Sequence, residues 1–152
     1  MASRIVVVAM LVMAAGPVMT AQDSKPKPYP MFTADHFVAA MKTAGQAFTA
    51  VNNSLSGNEI EDAKAYLAIS RDRLATTITF WRDRRKDDAI KMLRETVAIL
   101  DALDAALSTT QVDRTVTAGL IRQTGAACQA CHAAYRDQDP VTKAYRFKTG
   151  VQ

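Results

Sequence analysis

The sequence predicts an all-α domain, an antiparallel four-helix bundle. Three observations predict it. From Thr33 to Arg136 apolar residues recur at helical spacing, and no run alternates with a period of two. Prolines are absent between Pro30 and Pro140, and proline is the residue that breaks a helix interior. The periodic stretches are joined by short polar turns, which brings successive helices back beside one another.

The first helix opens at Thr33, an N-cap residue, with Asp35 in its first turn, where the helix dipole favours a negative charge. Its apolar stripe is Phe37, Met41, Ala44, Phe48, Val51 and Leu55, spaced by fours and threes. It ends in Asn52-Asn53-Ser54 or shortly after, before Gly57. The second helix begins at about Asn58 with acidic residues in its first turn, and turns Ile60, Ala63, Leu67, Leu74, Ile78 and Trp81 inward. Arg82, Arg84, Arg85 and Lys86 sit near its end, where cations suit the dipole. The third runs from about Asp87 with Ile90, Leu93, Val97, Leu100, Leu103 and Leu107 on one side. A single helix from Asn58 to Leu107 fits the local signals nearly as well. A break between Arg82 and Asp88 is preferred because one long helix would leave its apolar stripe uncovered.

Ser108-Thr109-Thr110 makes the next turn, and the fourth helix runs from about Gln111 to Arg136. Its apolar stripe includes Val116, Leu120, Ala127 and Ala130, and its second half is lined with Gly125, Ala126, Ala127, Ala130, Ala133 and Ala134. A face this poor in bulk suits close helix packing, or something large and flat lying against it. Asp139-Pro140 stops the helix. The tail beyond, with Tyr145, Arg146, Phe147 and Lys148, has no clear periodicity.

Residues 1–21 have the layout of a secretory signal peptide: Arg4, an apolar run from Ile5 to Val18, then small and polar residues. The run is short for a membrane span, so an uncleaved anchor is the lesser reading, and no stable membrane insertion is expected after cleavage. Residues 22–32, with Pro26, Pro28 and Pro30, form a stiff linker. The helical domain therefore occupies 33–137, followed by a tail at 138–152. The formal charge of +4 is too small to argue for nucleic acid.

An exported chain with two cysteines would usually pair them. Here they are three residues apart, in Cys128-Gln129-Ala130-Cys131-His132. Cys-x-x-Cys-His is the attachment signature of c-type haem. Thiols on one helical turn can each add to a haem vinyl group, a redox-neutral step in which the thiol hydrogen ends on carbon. The adjacent His132 can then serve as the proximal iron ligand. A thioredoxin-like pair would want a strand before the helix, and a zinc site would want further ligands, of which only His36 offers another nitrogen. In a four-helix bundle the end of the last helix lies beside the start of the first, which brings Met41 toward His132. Met41 is thus the candidate sixth ligand, with a core residue merely touching the haem as the plainer role. His36, just off the stripe, is the alternative.

The pattern Cys128-x-x-Cys131-His132-x-x-Tyr135-Arg136 on a last helix resembles the class II cytochromes c, the cytochrome c′ family, over about Thr33 to Arg136. Met41 and Phe48 also stand where that family places its distal residue and a nearby aromatic. The resemblance implies one covalent haem c on Cys128 and Cys131, with Tyr135 and Arg136 beside it. With Met41 it implies the low-spin His/Met branch. The implied function is that of a periplasmic one-electron carrier serving redox partner proteins, not an enzyme. The alternative is a five-coordinate cytochrome c′ binding NO or CO. Family members often form homodimers through their first two helices. Two departures stand out: the position one turn before Met41, often basic in the family, is Phe37, and the chain continues beyond the haem helix.

Overall fold

The computed structural model describes residues 32–151, so the expected signal peptide at 1–21 and all but the last residue of the linker at 22–32 lie outside the described residues. Within them the chain is mostly helical: α1 (Ala34–Ser56), α2 (Ile60–Thr76), the short α3 (Ile78–Asp83), α4 (Asp87–Leu107) and α5 (Arg114–Tyr135), followed by β1 (Arg136–Gln138) and β2 (Tyr145–Phe147). None of these helices is long and apolar enough to cross a membrane.

The starts of α1 and α5 follow from side-chain caps. Thr33 accepts the His36 backbone N–H at 3.2 Å. Asp113 Oδ1 accepts Thr115 N–H at 2.7 Å and Val116 N–H at 3.1 Å. These satisfy amides that a helix start leaves without partners. Asp113 therefore sets the start of α5 at Arg114, three residues later than the expected Gln111. Of the expected α5 stripe, Leu120 packs on the core while Val116 and Ala130 are exposed, because α5 turns Thr117, Thr124 and Tyr135 inward. The expected second helix is α2 and α3 together, interrupted only at Thr77, whose buried hydroxyl donates to the Leu74 carbonyl at 2.6 Å. The break expected between Arg82 and Asp88 is present. Arg85 takes φ 54°, and Lys86 N–H donates back to the Trp81 carbonyl at 3.0 Å.

α1 packs along α2, α2 along α4, and α4 along α5. The exposed Arg71 guanidinium also grips the Asp101 carboxylate in two places, joining α2 to α4. The core holds Val51, Ala63, Leu67, Ala89, Leu100 and Leu103, each almost fully buried. On α1 the fully buried stripe is Phe37, Ala40, Ala44, Ala47, Val51 and Ser54. The larger Met41, Phe48 and Leu55 of the expected stripe are only half-buried. Small side chains let α1 approach α2 closely, and the larger ones stand at the edge of that contact.

The helix stop and the tail differ most from expectation. α5 ends at Tyr135, four residues before Asp139-Pro140, because Arg136 already has extended backbone, φ −117° and ψ 132°. Asp139-Pro140 instead opens a hairpin turn: Asp139 Oδ1 accepts Val141 N–H at 2.9 Å and Thr142 N–H at 2.8 Å. β1 and β2 pair antiparallel, Arg136 against Phe147 and Gln138 against Tyr145. The segment at 138–152 is therefore folded onto the helices as far as its described residues run, and Val151 is buried.

Candidate functional site

α1 and α5 do not pack along each other. Between them lies a cavity of about 880 Å³, lined also by α2, α4 and the hairpin. That volume falls in the range of cofactor pockets, roughly 300–1,000 Å³. Its wall is mainly apolar, with Leu74, Leu93 and Leu100 as its floor. The hydroxyls of Ser70, Thr96 and Thr124 also line it, each donating to a backbone carbonyl: those of Ala44, Met92 and Leu120 respectively. They therefore present no unsatisfied donor to the interior.

Cys128, Cys131 and His132 all stand on the α5 wall of this cavity. Both cysteines are free and half-buried. Burial raises the Cys128 thiol above its ordinary range. Burial first, then the neighbouring Cys128 and Asp88, push Cys131 up to about 11. Burial, and after it the Arg136 guanidinium, lower His132. At neutral pH the site thus presents two thiols and a neutral imidazole with a free lone pair.

Met41 lines the opposite, α1 wall of the same cavity, as do Phe37 and Phe48. His36 does not: it is exposed, and its ring meets Phe32 edge-on at 6.0 Å. Tyr135 and Arg136 both reach the cavity. The Tyr135 ring packs on Trp81 at 4.6 Å. Its buried hydroxyl lies beside the Asp88 carboxylate but makes no hydrogen bond of good geometry. Burial, and then Asp88, hold that hydroxyl protonated well above the usual phenol range.

The wall has a component that sequence reasoning missed. Tyr145, Arg146 and Phe147 of β2 close one end of the cavity. Phe147 stands 5.2 Å from both Phe37 and Phe80 and 6.2 Å from Trp81, so the aromatic cluster joins α1, α3 and the hairpin. The aromatics of the tail were the one signal available in the sequence. Lys42 of α1 is the other unforeseen lining residue with a charge.

In comparisons with protein-family models, curated proteins and solved structures, the chain matches none.

Proposed function

We propose that this chain is a monohaem c-type cytochrome, an antiparallel four-helix bundle exported to the periplasm, where it carries single electrons between redox partner proteins. The observation that carries the reading is the juxtaposition of the Cys128-x-x-Cys131-His132 turn and Met41 on facing walls of one large apolar cavity. The gap between α1 and α5 suits a flat guest, whereas the small residues of α5, Gly125, Ala126, Ala127, Ala130, Ala133 and Ala134, do not line the cavity and lend the reading no support.

The residues present fit haem. Among the described residues no three His, Cys, Asp or Glu side chains converge to cage a metal ion by themselves. Iron here would need a scaffold that brings its other ligands, and a porphyrin is such a scaffold. Cys128 and Cys131 would anchor it by thioether bonds, His132 would supply the proximal nitrogen, and Met41 the distal sulfur. When bound, the haem supplies a reversible one-electron couple, whose potential a Met/His pair raises. Around it the protein keeps water away with Phe37, Leu74, Leu93 and Leu100, and low polarity of this kind favours the less charged, reduced state. His36, the one further histidine, lies outside the cavity.

The test is the absorption spectrum of the purified holoprotein and of Met41→Ala, reduced, with and without CO. A sharp low-spin spectrum in the wild type that ignores CO, becoming high-spin and CO-sensitive in Met41→Ala, is the expected result. A wild type that is already high-spin and binds CO would replace the electron carrier with a five-coordinate gas-binding protein.

A further inference from the structure

Among the described residues, those of the cavity wall that carry fixed positive charge are Lys42 on α1, Arg136 where α5 passes into β1, and Arg146 on β2, and no Asp or Glu lines it. The α2 and α4 walls contribute only Ser70, Leu74, Leu93, Thr96 and Leu100. Positive charge without a lining carboxylate, gathered on α1, α5 and the hairpin of an otherwise apolar cavity, suits a guest with an apolar body and an anionic edge. Such a guest's charges, taken partly out of water, require partners.

The hairpin holds its share of this charge in place. The Arg136 guanidinium lies over the Tyr145 ring, 4.0 Å from its centroid. Phe147, its cross-strand partner, is seated in the aromatic cluster. Lys148 donates its backbone N–H to the Tyr135 carbonyl at 3.0 Å and its Nζ to the Ala133 carbonyl at 2.6 Å. These bonds tie the hairpin to the last turn of α5, the turn that bears His132. Arg146, by contrast, has only an outer-limit ion pair among the described residues, to Asp139 at 3.9 Å, and both side chains are partly in solvent. Its donors are largely uncommitted.

We propose that the C-terminal hairpin completes the cofactor site, with Arg146, aided by Lys42 and Arg136, binding the propionate carboxylates of the haem. This rests on the haem reading above. It also gives the tail a function, and it supplies on β2 and at Lys42 the cation that α1 lacks at Phe37. Arg146 is a cofactor-positioning and charge-setting residue. A cation at the propionates offsets negative charge near the iron, which favours the reduced state. Its removal therefore lowers the reduction potential.

The experiment is a redox titration of the full holoprotein beside Arg146→Gln, Arg146→Lys, Lys42→Gln and a charge control, Arg122→Gln. Arg122 borders a separate pocket formed with Asn52, Leu55 and Arg114. Haem retained after denaturation is recorded first, so a wild type without covalent haem removes the haem reading, and this proposal with it, before any variant is compared. The expected result is a lower midpoint potential in Arg146→Gln and Lys42→Gln, a return toward wild type in Arg146→Lys, and no shift in Arg122→Gln. A haem-loaded Arg146→Gln with the wild-type potential overturns the proposal. So does an equal shift in Arg122→Gln, which would report net charge alone. If Arg146→Gln does not fold, Lys42→Gln, which leaves the hairpin intact, decides: an unchanged potential there overturns it.

Discussion

The Phe147 ring stacks on Phe80, centroids 5.2 Å apart and planes 18° from parallel. This contact fastens the last strand of the chain to α3, and the same two rings both meet Phe37 of α1. β2, which lines the cavity through Phe147, is thus held by a ring 67 positions earlier in the sequence (147 − 80).

Phe147→Ala should therefore loosen the tail and the cavity together. Phe147 is half-buried, so the expected loss is about 2 kcal/mol, below the cost of truncating a fully buried ring. Denaturant unfolding measures it, and limited proteolysis should show cleavage within 138–152 before the helices are cut. An unchanged unfolding midpoint would mean that the hairpin adds nothing to the fold.

Trp81 is the single tryptophan of the chain and lines the cavity while almost fully buried. Its indole N–H has no partner among the described residues. A haem in that cavity would absorb at the wavelengths Trp81 emits, at contact range. Tryptophan fluorescence should be nearly abolished in the holoprotein and restored in Cys128→Ala/Cys131→Ala from which haem has been extracted. Equal emission from the two would place the chromophore elsewhere.

The haem-free chain should show an alkaline weakness. Cys131 ionises near 9.0 in an open chain and is pushed up to about 11 in the fold. Its raised value means that the unfolded state gives up the proton first, so stability is full below about pH 9 and falls as pH rises toward 11. Allowing for partial solvent access, the loss is about 1–2 kcal/mol. Urea midpoints at pH 8 and pH 10 measure it, and Cys128→Ala/Cys131→Ala should reduce the drop. Once both sulfurs are thioethers the dependence on these groups should vanish, because nothing remains to ionise.

The helices were legible because burial on one face imposes a 3.6-residue period, and the charged stretch around Arg84 marked where the long apolar run turns. The Cys128-x-x-Cys131-His132 cluster was legible because its members lie within little more than one helical turn, and the structure places all three on one cavity wall. Other features were not. Periodicity located the inward side of α1 but did not separate Ala40 and Ala47, which are buried against the other helices, from Met41 and Phe48, which are half-buried and face the cavity. Both sets fall within one apolar arc, and only the gap between α1 and α5 divides them. The hairpin was illegible because three-residue strands carry almost no period, and its pairing is fixed by the Asp139 turn and by Phe147 reaching residues distant in sequence.

The most direct measurement is mass analysis of the chain produced with c-type maturation machinery, denatured and extracted with acidified solvent. A haem should remain on the protein after extraction, one per chain, and proteolysis should map the added mass to the peptide containing Cys128 and Cys131. A chain of unmodified mass, or haem that leaves entirely with the solvent, would contradict the assignment.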